Sequence, residues 1–113
     1  MKLHVASGQL RLRLSEQELA LLTTHGGFAQ AMPCPDGSAA QCRLVLDAQA
    51  EAGQCRGDLM DLQLLLPRAA FLAFAAERPR RDGFAFAQGP LRISVEVDVR
   101  DSHRVRRDAA RSG

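Results

Sequence analysis

The chain has 113 residues, 46% apolar and 25% charged, which is one domain's length with ordinary globular composition. Residues 1–100 carry eleven Lys or Arg and eleven Asp or Glu; the +2 surplus lies in the last thirteen residues. A neutral body displaces few counterions, so nucleic-acid binding is not expected, and no apolar run approaches the roughly 20 residues of a membrane helix.

Lys2–Ala6 and Gln9–Leu14 alternate around Ser7-Gly8, a tight hairpin signal. In the second strand Leu10, Leu12 and Leu14 share one face, and Arg11 and Arg13 share the other. Ser15 then opens a helix. Glu18 completes a capping box, and Leu14 with Leu19 form a hydrophobic staple. His25 and Gly26-Gly27 end the helix, which buries Leu19, Leu22 and either Ala20 or Leu21. Phe28–Met32 reads as a short strand, Asp36-Gly37 as a turn, and Gln41–Asp47 as a strand with Cys42, Leu44 and Leu46 inward. Ala48–Gly53 is a linker or a strand extension.

The second half repeats this order. Gln54–Asp58 and Asp61–Leu66 read as strands, and Pro67 suits the first position of a helix over Arg68–Glu77. That helix buries Phe71, Phe74 and Ala70 and ends before Pro79. Phe84–Gln88 is a strand, Gly89-Pro90 a turn, and Leu91–Arg100 the longest alternating run. Its outer face carries Arg92, Glu96, Asp98 and Arg100. Shifted by 52 positions, Leu10, Leu12, Leu14, Leu19 and Leu22 coincide with Leu62, Leu64, Leu66, Phe71 and Phe74. The expected fold class is α+β: two pseudo-repeated ββαββ halves, about 1–50 and 51–100. They supply about eight antiparallel strands, as a sheet or barrel, with two helices on one face. Residues 101–113 form a polar, basic tail without periodicity, expected to be disordered.

The opening M-K-L-x-V-x-x-x-x-L-R-L-R-L-S-x-x-E-L, Met1 to Leu19, resembles a family of small uncharacterised bacterial proteins. Its members open with M-K-(I/L)-x-(I/V), then S-(I/L)-R-(L/F)-R-L-(S/T)-x-x-E-(V/L). Gln9 departs from that pattern, as does the basic end of this chain. The resemblance implies fold and length and carries no active-site residue.

Cys34, Cys42 and Cys55 lack the paired spacing of a zinc knuckle, and His4, His25 and His103 form no ligand pair at helical spacing. No metal or cofactor is therefore expected. Three cysteines are an odd number without a disulfide-framework spacing, so a reduced, cytoplasmic protein is expected. Neither a nucleophile elbow nor a phosphate loop occurs. The candidate ligand residues are Arg11, Arg13, Arg92, Glu96 and Asp98. Arginines recognise phosphate, and Glu96 with Asp98 could hold Mg²⁺ if these faces line a tunnel. An open sheet with one solvated face produces the same alternation and is the commoner source of it. Two functions follow. One is a non-enzymatic binding or protein-interaction domain, its last strand adding to a partner's sheet or its Arg78-Pro79-Arg80-Arg81 cluster meeting an acidic partner. The other is a phosphate-binding barrel or metal-dependent phosphohydrolase using the charged strand faces.

Overall fold

The computed structural model describes residues 1–77 and 83–98. The tail beyond Arg100, the far end of the last strand and the Arg78–Arg81 cluster lie outside them. The chain is α+β, with β1 (Lys2–Ala6), β2 (Gln9–Leu14), α1 (Glu16–His25), β3 (Gly27–Pro33) and β4 (Ala39–Asp47) in its first half. The second half supplies β5 (Gln54–Asp58), β6 (Asp61–Pro67), α2 (Arg68–Ala76), β7 (Phe84–Gln88) and β8 (Leu91–Val97). The repeat expected from the leucine spacing is therefore present as two similar ββαββ halves.

Two compact units are assembled across those halves. One comprises Met1–Leu19 and the described residues from Glu77 onward; the other is Ala20–Ala76. Each holds an open four-stranded sheet, ordered β1-β2-β8-β7 in the first and β3-β4-β6-β5 in the second. The four hairpins are antiparallel, as their tight turns require. The central pairs, β2–β8 and β4–β6, are parallel. Alternation alone does not carry strand direction, because side chains alternate with period 2 in either case. Each sheet thus joins one hairpin from each half. This places β8 inside its sheet, between β2 and β7, and not at an edge available to a partner strand.

In the first unit the parallel register sets Leu10 beside Ile93, Leu12 beside Val95 and Leu14 beside Val97. The first five are buried. In the second unit Cys42 and Leu62, Leu44 and Leu64, and Leu46 and Leu66 are matched in the same way and buried. Phe71 and Phe74 lie one helical turn apart on α2, with ring centroids 5.6 Å apart. Deleting one such buried ring costs about 3–5 kcal/mol.

The capping box forms. Glu18 N–H donates to Ser15 Oγ at 3.1 Å, and Ser15 N–H donates to Glu18 Oε1 at 2.9 Å. Gly26, at φ 76°, terminates α1 and donates its N–H to the Leu22 carbonyl at 2.8 Å. Three expectations need correction. Ala20 and Leu21 are both exposed, and so is Ala70. A short helix buries a stripe set by the i, i+3 pairs Leu19–Leu22 and Phe71–Phe74, and these three residues sit about 100° off a buried neighbour. Pro67 closes β6, so α2 begins at Arg68. Of the two readings of Ala48–Gly53 the linker is the one observed, a loop started by Asp47, whose carboxylate accepts from Gln49 N–H at 2.9 Å.

Among Gly26, Gly27, Gly37 and Gly57 of the second unit, where a Cβ at the first three would meet no atom nearer than 3.6 Å, the most closely approached is Gly57. Its φ is 87°, and a Cβ there would stand 2.0 Å from the Asp61 carbonyl oxygen. The turn beyond it is held by Asp58, whose Oδ1 accepts from Met60 N–H at 2.9 Å and Asp61 N–H at 3.0 Å.

Candidate functional site

The candidate site lies on the polar face of the first sheet. Its apolar face consumes every second residue of β2 and β8, which leaves Arg11, Arg13, Arg92 and Glu96 on the opposite side. The hairpin register then adds residues from β1. Lys2 stands directly opposite Arg13, and His4 opposite Arg11. Across the parallel pair Arg13 stands beside Glu96 and Arg11 beside Ser94. Neighbouring strands are about 4.8 Å apart, so two short rows result: Lys2–Arg13–Glu96 and His4–Arg11–Ser94.

These rows border a concavity of about 310 Å³, lined by Lys2, Leu3, His4, Arg11, Arg13 and Glu96. Glu96 joins the two arginines. Arg11 grips it through Nε to Oε1 at 3.1 Å and Nη2 to Oε2 at 3.1 Å, with Nη2 also 3.0 Å from Oε1. This side-on fork is the strong form of arginine–carboxylate pairing. Arg13 Nη2 lies 3.6 Å from Oε2, an ion pair without a hydrogen bond. The side chains of Arg11 and Arg13 are 38% and 41% exposed, and that of Glu96 only 18%. The carboxylate is therefore the more buried partner, and the guanidinium groups are the accessible ones.

Gly83 sets how close the backbone comes to Glu96. A Cβ at Gly83 would lie 2.8 Å from Glu96 Cγ and 2.5 Å from Ser94 Oγ. Ser94 is buried at 7% exposure, and no buried side-chain oxygen or nitrogen among the described residues lacks a partner.

Of the residues singled out from sequence, Arg11, Arg13 and Glu96 come together around the concavity. Arg92 shares their strand face but does not line it, and neither does Asp98, which follows the end of β8. The carboxylate pair envisaged for Mg²⁺ is therefore not assembled in this concavity. Among the described residues no group of three or more His, Cys, Asp or Glu is placed to hold a metal ion. Lys2 and His4 were missed as site residues, yet the sequence held the signal. Counting back from the Ser7-Gly8 turn pairs Lys2 with Arg13. Gly83 was missed in the same way: counting back from the Gly89-Pro90 turn sets Gln88 beside Leu91 and Phe84 beside Val95, so that Gly83 meets Glu96.

The polar face of the second sheet is ordinary by comparison. Arg43 Nη2 and Asp61 Oδ1 pair at 2.8 Å with side chains 48% and 62% exposed, an arrangement worth little. The cysteines are free thiols. Cys42 is buried, and burial, with a smaller contribution from Cys55, pushes its thiol up to about 11. His25 is the last residue of α1 and does not line the concavity. Among the described residues no helix is long and apolar enough to cross a membrane. No family model matches the chain, and no curated protein matches it.

Proposed function

We propose that the chain is a small non-enzymatic binding domain, and that a phosphate-bearing compound is its ligand. The observation that carries this reading is the gathering of Lys2, Arg11 and Arg13, with His4, around one concavity where Glu96 is the single lining carboxylate among the described residues. Like charges directly opposite on neighbouring strands oppose folding, and Lys2 faces Arg13 in this way. Among the described residues three cations against one carboxylate leave positive charge that an anionic ligand would neutralise. Arginine suits phosphate because its planar fork matches the oxygens of the group.

Catalysis is not part of the proposal. Phosphoryl transfer works by clamping the transferred group with metal ions and cations, and the concavity offers one carboxylate already gripped by arginine. The three free thiols fit a reducing compartment, so we place the domain in the cytoplasm. The opening motif over Met1–Leu19 supports a relationship to the small bacterial family that it resembles.

Calorimetric titration with sodium tripolyphosphate, with and without Mg²⁺, tests the reading. Binding weakened at least tenfold by Arg13→Ala is the expected result. A ligand at 100 times its dissociation constant adds about 2.7 kcal/mol, so an unchanged melting temperature at millimolar tripolyphosphate would overturn it. Release of phosphate in the Mg²⁺ arm would replace the binding domain with a hydrolase.

A further inference from the structure

We infer that Glu96 is the positioning residue of this site, seated where Gly83 leaves room for its stem, and that it holds Arg11 and Arg13 ready for the anion. The inference rests on the phosphate-binding reading and concerns a residue whose charge opposes the ligand's. On charge alone Glu96 would be a competitor. Three observations point the other way.

The first is depth. The Glu96 side chain is 18% exposed, whereas the two arginines are about twice as open. A competitor would occupy the accessible position, but here the guanidinium groups do. The second is the side of Arg11 that is used. All three bonds to Glu96 come from Nε and Nη2, and none uses Nη1. The carboxylate fixes one edge of the guanidinium and leaves the Nη1 donors uncommitted by the pair. The third is that the stem of Glu96 occupies room that only glycine leaves at position 83. The Gly83 backbone lies so near that a Cβ would stand 2.8 Å from Glu96 Cγ, 2.5 Å from Ser94 Oγ and 3.0 Å from the Val95 carbonyl. Any side chain at position 83 would displace that stem, so the place of Glu96 depends on this glycine.

An unsupported arginine loses side-chain entropy when it binds. Fixing Arg11 beforehand removes part of that cost, which is how preorganisation raises affinity. One carboxylate between two guanidinium groups also relieves their mutual repulsion and keeps both on one side of the sheet. Glu96 does not touch the anion; it acts through the arginines.

The test sets charge against position. Glu96→Gln keeps the shape, adds one unit of positive charge to the site and weakens the grip on Arg11. Simple electrostatics predicts tighter tripolyphosphate binding, whereas a positioning role predicts a dissociation constant at least tenfold higher. Gly83→Ala leaves every charge in place but pushes the Glu96 stem, and it should weaken binding in the same direction. The Arg11 Nε–H resonance provides a second reading: the Gln variant should move it while the backbone amides away from β2 and β8 stay in place. Equal or tighter binding by the Gln variant, with the parent protein binding normally, overturns this inference and leaves the phosphate reading standing. Absence of binding by the parent protein overturns both. If Gly83→Ala does not fold, Glu96→Gln decides alone.

Discussion

Replacing Gly57 with alanine should destabilise the second unit by about 3 kcal/mol, and the structure separates this cost into two parts. Gly57 has φ 87°, and positive φ costs a residue with a Cβ about 1–2 kcal/mol. The added methyl would also meet the Asp61 carbonyl oxygen at 2.0 Å. The obstacle is backbone, so no side chain can turn away, and the β5–β6 turn must open. Opening it weakens the two bonds that Asp58 Oδ1 accepts, and the 2.8 Å bond from Gln41 N–H to the Met60 carbonyl. Each such bond contributes about 0.5–1.5 kcal/mol. Gly37 is the matched control, with φ 89° and nothing within 4 Å of the position of its Cβ. Gly37→Ala carries the backbone cost without the collision, and both substitutions stiffen the unfolded chain alike. With a urea slope of about 2 kcal/mol/M, Gly57→Ala should lower the midpoint by about 1.5 M and Gly37→Ala by about 0.5 M. Equal shifts for the two variants would refute the collision argument.

Two further outcomes follow from the titrating groups. Burial would raise the Glu18 carboxyl, but hydrogen bonds from the Met1 ammonium and from Ser15 outweigh it and hold the group below its ordinary value. The unfolded chain therefore binds this proton more readily. The contribution is complete above the unfolded carboxylate value and is lost as pH falls through the lower, folded one. Urea midpoints measured between about pH 5 and pH 2 should fall less steeply for Glu18→Gln than for the parent; parallel curves would contradict the assignment. Cys42, raised to about 11 by burial and then by Cys55, is roughly one part in a thousand thiolate at pH 8. A disulfide reagent should reach it only on unfolding, and mass-spectrometric mapping that finds native Cys42 labelled as fast as the denatured chain would be inconsistent with that burial.

Most elements are legible in the residues because their causes are local. Ser15 and Glu18 start α1 by satisfying its first N–H groups, and Gly26 ends it by adopting a positive φ. Leu10, Leu12 and Leu14 mark one strand face, and Arg11 and Arg13 are thereby assigned to the other. The phase of the helices was less well marked, since the buried stripe of a short helix depends on the surface that receives it. Hence Leu21 and Ala70, apolar and beside buried positions, are exposed.

By itself the sequence determined the order of elements, the doubled ββαββ pattern, the inward leucines and the face on which the candidate arginines lie. All of these follow from hydrogen bonds and periodicities spanning a few residues. Tertiary structure alone decided that β2 pairs with β8 in parallel, and thus that Glu96 stands beside Arg13, 83 positions away in the chain. No local rule selects one distant strand over another. The β2–β8 pairing sets buried Leu10 and Leu12 beside buried Ile93 and Val95, and it turned an alternating run of charges into a cluster. The approach of Gly83 to Glu96, by contrast, is local, because it follows from the register of the β7–β8 hairpin.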